Sequence, residues 1–235
     1  LVPVLDEGSR ITDQVIKMKE FAALVDIFIV DGGSTDDALR PDFLRNNLVR
    51  SLLVNRGTPG LSAQLRVGLA EILNDNYQGI ILIDGNGKDN LEALPRFIEK
   101  LERGYDHVQG SRFIAGARHQ RTPWLRWFAI RFLHAPLLSL ASGRWLTDTT
   151  NGFRAYSRLF LLDPRIQPFR DIFSKYELHY YLTIRAARLG FKSIEIPVER
   201  SYPANEKTPT KIKGLAGYRT VLATLIKACV GRFNP

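Results

Sequence analysis

The 235-residue chain is 45% hydrophobic and 24% charged, ordinary globular proportions that exclude a disordered, collagen-like or coiled-coil protein. A single cysteine excludes a disulfide framework and a zinc site built on several thiolates, and it suits a reducing compartment. The net charge of +9 is concentrated in Arg112–Arg144, with six arginines and no acid, and in residues 202–235, with six basic residues against Glu206; such patches point to phosphates on nucleic acid, anionic lipid or a small molecule.

Taken in order, the chain alternates apolar runs with helical periodicity. Leu1–Leu5 reads as a strand, so further residues are expected before Leu1. Ser9–Ala23 carries Ile11, Val15, Met18 and Ala22 at helical spacing. Val25–Val30 is a buried strand that ends at Asp31, Asp36–Asn46 a helix, and Val49–Asn55 a third strand. Leu61–Asn74 lines up Leu65, Leu69 and Leu73 on one helical face. Gly79–Ile83 is a strand that ends at Asp84, Leu91–Arg103 a helix, and Tyr105–Gln109 a strand. Trp124–Ser142 is bulky and apolar, punctuated by Arg126 and Arg131, and Pro136 is expected to break or kink it. Asp148–Ser157 reads as a turn and short strand, Tyr176–Leu189 as a helix, Lys192–Val198 as a strand, and Ala204–Gly214 as a polar loop. Gly217–Val230 closes the chain as an amphipathic helix. No run is long and apolar enough to span a membrane, and no signal-peptide pattern opens the chain.

Buried strands alternating with helices predict an α/β fold with a mostly parallel central sheet covered on both faces. Ligands of such sheets bind beyond the carboxyl ends of the strands. Those ends carry Asp31-Gly-Gly-Ser34 and Asp84-Gly-Asn-Gly-Lys-Asp89. A nucleotide site needs acceptors for base and ribose and a carboxylate for a metal on the diphosphate; the alternative is that both aspartates are ordinary turn residues. G-x-G-x-x-G, Walker A and H-E-x-x-H patterns are absent. The start of an EF-hand loop at Asp84 fails at Asp89 and Pro95, where Gly and Glu are required.

Several segments together resemble the family 2 glycosyltransferases of the GT-A fold. Asp31-Gly-Gly-Ser-Thr-Asp36 is similar to that family's D-D/G-G-S-x-D signature. Val2-Pro3-Val4-Leu5-Asp6-Glu7 resembles its opening strand, and Asn55-Arg56-Gly57 with Ala63 and Gly68-Leu69 its N-x-G…A…G-L helix. Asp84-Gly-Asn86 stands at the metal-binding D-x-D, and Gly110-Ser111-Arg112 matches G-S-R. Asp148-Thr-Thr-Asn-Gly152-Phe153-Arg154 resembles the D-x-x-(S/T)-G-F-R segment, and Glu177 stands where an acid is frequent. Arg200 with Thr210-Lys211-Ile212 resembles the R…S-K-L stretch of polyprenol-phosphate glycosyltransferases such as dolichol-phosphate mannose synthases. The matches run in order along nearly the whole chain.

The resemblance implies a single GT-A domain, with residues 1–112 binding nucleotide sugar, 113–214 binding acceptor, and 215–235 forming a C-terminal amphipathic helix. It implies that Pro3, Glu7, Asp31, Gly33, Asn55, Gly57 and Asp84 line the donor site, and that Asp84 and Asn86 hold Mg2+ or Mn2+. Arg112, Arg154, Arg200 and Lys211 would bind phosphate of donor or acceptor. Asp148 and Arg112 would be catalytic, Asp148 as general base toward a hydroxyl acceptor; a phosphate acceptor is already anionic and needs none. Asn86 replaces the second carboxylate, so it offers an oxygen without charge.

Arg112–Arg144 interleaves Trp, Phe and Leu with Arg, which suits a helix lying among lipid headgroups. Gly217–Val230 is a second candidate for that role; the alternatives are buried helices or a homo-oligomer interface. His107, His119, His134 and His179 are scattered and read as structural, and Cys229 as packing. The expected activity is transfer of a sugar, with inversion, from a nucleotide donor to a polyprenyl phosphate by a peripheral protein at the cytoplasmic membrane face. The alternatives are a soluble glycosyltransferase acting on a saccharide or protein hydroxyl, a non-catalytic nucleotide-sugar binder, and a nucleic-acid module. The last conflicts with carboxylates along the sheet edge, which would repel a phosphate backbone.

Overall fold

Parallel pairing organises the first half of the chain. The computed structural model describes residues 1–202 and 214–235; the predicted polar loop, Lys211 included and Gly214 excepted, lies outside them. Strand β1 (Val2–Val4) pairs with β2 (Ile27–Asp31), and β2 with β3 (Val49–Val54), all parallel. Asp31 stands opposite both Val4 and Val54, so three carboxyl ends finish on one edge. Every residue of β2 before Asp31 is buried, as a strand covered on both faces requires.

A second sheet contains β4 (Gly79–Leu82), β5 (His107–Ser111), β7 (Arg154–Ser157) and β8 (Ser193–Pro197), in the order β4-β7-β5-β8. The Ile83 N–H donates to the Leu1 carbonyl at 3.1 Å, which sets this sheet beside β1. Strand β7 runs antiparallel to β4 and β5, whereas β5 and β8 are parallel. The chain leaves β5 at the ligand-side edge, stays there through residues 112–153, and therefore re-enters the sheet in the opposite direction. Two short strands that the periodicity did not reveal, β6 (Arg118–Gln120) and β9 (Glu199–Ser201), pair parallel at that edge.

Helices cover both faces. Helix α1 (Ser9–Met18), α2 (Pro41–Asn46) and α4 (Leu94–Glu102) bury Ile11, Val15, Leu44 and Phe97 against Val4, Ile29 and Ala155. On the other face α3 (Leu61–Asn74), α7 (Arg158–Leu162) and α8 (Glu177–Arg188) bury Leu65, Leu69, Phe160 and Leu182 against Val30, Ile80 and Tyr156. The helix predicted from Asp36 begins only at Pro41. Asp36 instead accepts the Gly8 and Ala38 N–H groups, which holds residues 36–40 as a turn.

Pro136 does not end its helix. Helix α5 (Trp124–Ala129) continues through a π-helical turn (Ile130–His134) into α6 (Ala135–Ser142). Pro136 stands in the first turn of α6, and the wide turn before it accommodates the residue that has no N–H to give. Helix α9 (Gly214–Cys229) packs Leu225 and Ala228 against Leu138, Tyr180 and Ile184 of α6 and α8.

Candidate functional site

Two loops at the carboxyl edge form a crevice. In the first, Asp31 Oδ1 accepts the Gly33 N–H, the Ser34 N–H and the Ser34 hydroxyl at 2.6–3.2 Å. That Asx-type turn consumes one carboxylate oxygen and leaves Oδ2 with no hydrogen bond among the described residues. Gly33 has φ +94°, which a residue with Cβ adopts only under strain. The loop interlocks with residues 6–8: Asp6 accepts the Thr35 N–H and hydroxyl, and Ser34 Oγ accepts the Asp6 N–H. From α3, the Gln64 amide donates to the carbonyls of Val4 and Val30 at 2.8 and 2.9 Å and so ties β1 to β2 directly below. Glu7, on the same rim, pairs with Arg10 at 3.1 Å. Pro3 lies in β1. Asn55 builds its own turn, accepting the Gly57 N–H and donating to Thr58 O.

In the second loop, Gln14 of α1 acts as a clamp. Its amide donates to the Asp84 carbonyl at 3.1 Å and its oxygen accepts the Gly87 N–H at 2.8 Å. Arg200 bridges the two acids of this loop, meeting Asp84 Oδ2 at 2.9 Å and Asp89 Oδ2 through its other nitrogen. Burial would push the Asp84 carboxyl up, but Arg200 holds it below the ordinary range. Asn86 Oδ1 is buried with no hydrogen-bond partner among the described residues. Lys88 is 6% exposed, and burial lowers its ammonium to about 8. Gly152 comes so close to this loop that a Cβ there would collide with the Asp84 carboxylate. That close approach is the physical reason for the glycine in the Thr149-Thr-Asn-Gly152-Phe153 segment.

Tyr202 forms the wall between this crevice and α5. Its hydroxyl accepts from Arg112 at 3.1 Å and from Arg126 at 3.3 Å. Lys88, Arg126 and Arg200 face its ring at 5.6–6.0 Å. Burial alone would raise the phenol, yet Arg112, Arg200 and Arg126 bring it below its usual value.

Three expectations change here. Asp148 is fully buried, and both its oxygens take hydrogen bonds from Arg112 at 2.6–3.1 Å. Burial would raise its carboxyl, but Arg112 holds it below the usual range, the opposite of what a base that must accept a proton near neutrality needs. The pair is itself fixed from behind by Glu195, which accepts the Thr147 and Asp148 N–H groups. Arg112 is correspondingly 3% exposed, and besides Asp148 it donates to the hydroxyls of Tyr202 and Thr150. Arg154 is 1% exposed and spends its guanidinium on the carbonyls of Thr149, Asn151 and His179 and the Thr183 hydroxyl, contacts that brace the fold. Glu177 accepts the Ser174 and Lys175 N–H groups and shapes the turn before α8. Sequence reading missed Gln14, Gln64, Lys88 and Tyr202 as parts of the site. Lys88 stands inside the recognised loop, whereas the glutamines carry no signal until tertiary contacts form.

Helix α5 borders this crevice and turns its apolar side outward. Trp124 is 77% exposed, and Leu125, Phe128, Phe132 and Leu133 are exposed with it, as are Leu140 and Trp145 nearby. Arg118, Arg121 and Arg144 lie exposed in the same stretch. Among the described residues no helix is long and apolar enough to cross a membrane.

The architecture is the GT-A fold of glycosyltransferases. The fold matches the glucosyl-3-phosphoglycerate synthase of M. tuberculosis with a TM-score of 0.69 at 20% identity, over 97% of this chain and 79% of that one. Another structure of that enzyme, in complex with Mn2+, uridine diphosphate and glucosyl-3-phosphoglycerate, matches with a TM-score of 0.67 at 18% identity, over 97% of this chain and 78% of that one. No protein-family model matches the chain. In sequence it is 26% identical over 217 residues to a polyprenol monophosphomannose synthase of Mycolicibacterium smegmatis, covering 91% of this chain and 80% of that protein. It is 29% identical over 161 residues to a dolichyl-phosphate hexose transferase of Haloferax volcanii, covering 68% and 65% respectively. It is 26% identical over 219 residues to an undecaprenyl-phosphate mannosyltransferase of Micrococcus luteus, covering 91% and 86%. The chain is thus a glycosyltransferase similar to the polyprenol-phosphate sugar transferases, which bears out the family 2 resemblance.

Proposed function

We propose that this glycosyltransferase moves a hexose from a nucleotide-sugar donor to a polyprenyl phosphate at a membrane surface, with inversion at the anomeric carbon. The observation that carries the reading is the position of Arg126: it belongs to the exposed aromatic helix yet donates to Tyr202, whose ring Arg200 and Lys88 also face. A lipid anchored beside α5 would therefore bring its phosphate to the donor crevice. Asp31 Oδ2 is suited to accept ribose hydroxyls, with Glu7, Pro3, Asn55, Gly33 and Gly57 forming the rim.

A divalent cation, Mg2+ or Mn2+, fits Asp84 and Asn86. The orphaned Asn86 oxygen and a carboxylate are hard donors, and the diphosphate supplies further oxygens. Such an ion neutralises charge on the leaving nucleotide. A polyprenyl phosphate oxygen forms the new bond to the anomeric carbon as the bond to the nucleoside diphosphate breaks. The attacking oxygen is already anionic, so no base is required, consistent with Asp148 locked against Arg112. Arg200 and, from outside the described residues, Lys211 are the cations proposed to gather phosphate.

The protein is proposed to be peripheral, on the cytoplasmic face, with α5 and α6 among the headgroups. Arginines beside anionic lipid add attraction of about 1 kcal/mol each. The test combines sugar transfer to a short polyprenyl phosphate in micelles with co-sedimentation on anionic vesicles. Transfer to the lipid phosphate, with salt-sensitive vesicle binding, is the expected result. Transfer to free saccharides but not to the lipid phosphate would refute it.

A further inference from the structure

The carboxylates of the Asp84 loop have cations beside them before any ligand arrives. Arg200 spans Asp84 and Asp89, and Lys88, four residues after Asp84 in the same loop, adds a second cation. Its ammonium lies 5.6 Å from the centre of the Tyr202 ring, which Arg200 also faces at 6.0 Å. Asp84 and Asp89 are thus flanked by Arg200 and Lys88, and Lys88 also feels Glu7. Among the described residues no three His, Cys, Asp or Glu side chains converge to hold a metal ion. A dication approaching alone meets Arg200 and Lys88; a nucleoside diphosphate brings negative charge that reverses the balance. The Gln14 clamp on the Asp84 carbonyl and the Gly87 N–H fixes the backbone of the loop that carries Lys88.

We propose that Lys88 is a fixed cation for the donor diphosphate, so that the protein binds a nucleoside diphosphate without divalent metal and takes up the metal only together with it. This inference rests on the donor-site reading above and assigns Lys88 a role within it. It also explains how a site with one carboxylate and one amide can serve: an ammonium supplies part of the positive charge that a second carboxylate would have recruited as metal.

The experiment is calorimetric titration of the whole protein with GDP and with UDP, in EDTA and in Mn2+, alongside paramagnetic resonance of Mn2+ with protein alone. One nucleotide is expected to bind in EDTA, and Lys88→Gln to weaken that binding about ten- to a hundredfold, as loss of a charge-assisted contact predicts. Lys88→Arg is expected to retain it, and thermal unfolding of both variants checks that they fold. Mn2+ alone is expected to bind weakly to the wild type and more tightly to Lys88→Gln. Nucleotide binding that requires Mn2+, tight Mn2+ binding by the wild type alone, or EDTA binding unchanged in Lys88→Gln would overturn the role of Lys88 and leave the donor site standing. Absence of binding by either nucleotide under all conditions would overturn the donor-site reading and this inference with it.

Discussion

The crevice and the aromatic helix beside it are both rich in arginine, yet they use it in opposite ways. In the crevice Arg112 and Arg154 are buried and occupied by Asp148 and three backbone carbonyls, while Arg200, also buried, bridges Asp84 and Asp89 and keeps its Nε without a partner among the described residues. On the outer stretch Arg118 and Arg144 are exposed in a segment whose Trp, Phe and Leu side chains the protein leaves uncovered, as is Arg121, which gives its Nε–H to the Tyr202 carbonyl. Enclosure explains the difference. A buried guanidinium without acceptors is prohibitively costly, so the fold supplies them; an exposed one is solvated and stays available to an outside anion. A run of arginines therefore marks a binding surface only where the fold leaves it open.

The sharpest break of that contrast is inside the crevice wall. Asp148→Ala strands the Arg112 charge in the interior and is expected to destabilise the protein by about 3–5 kcal/mol, read from urea unfolding. A loss of transfer with full stability would instead restore Asp148 as a chemical participant. Next in size is Gly152→Ala, whose Cβ must displace the Asp84 carboxylate. A shift of about 1 Å at a reacting site lowers turnover about a hundredfold, and nucleotide-sugar transfer measured beside thermal unfolding should show that loss without collapse of the fold.

The interior also responds to acid. His107 and His134 are buried neutral, with burial lowering His107 to about 3 and His134 to about 4. The unfolded chain takes up these protons near the ordinary histidine value of about 6.5, so it binds more protons than the folded state between that value and 4. Stability is complete above about pH 6.5 and is lost as pH falls toward 4, by about 1.4 kcal/mol per unit for each group. Urea midpoints across that window check the slope, and His134→Gln should reduce it by one group's share. The smallest effect on stability lies on the outer helix: Trp124→Ser with Phe128→Ser is expected to change unfolding by about 0.5 kcal/mol or less while vesicle binding falls markedly. A large loss of stability there would show that these rings belong to the core.

Much of the donor side is legible in the sequence because its signals are local. Asp31, Gly33 and Ser34 make a turn within four residues, and the strand–helix alternation through Asn74 is written in apolar periodicity. Pro136 misleads because the consequence of a missing N–H depends on whether a π-helical turn precedes it. Strands β6 and β9 escape notice because a three-residue exposed strand has no periodicity to read.

Sequence by itself determined the order of the longer strands and helices, the two carboxylate loops, the basic aromatic stretch and the kinship with sugar transferases, since each is carried by neighbouring residues or by motif order. Only the tertiary structure decided which charges face a ligand. Arg154 and Arg112 look like phosphate binders beside their motifs, but contacts reaching up to 90 positions along the chain consume them. Gln14 and Gln64 look inert, yet across separations of 60–73 residues they hold the two loops in place. Burial and pairing are properties of three-dimensional neighbours, and whether a charge is spent inside the fold or offered to a substrate is fixed only when those neighbours meet.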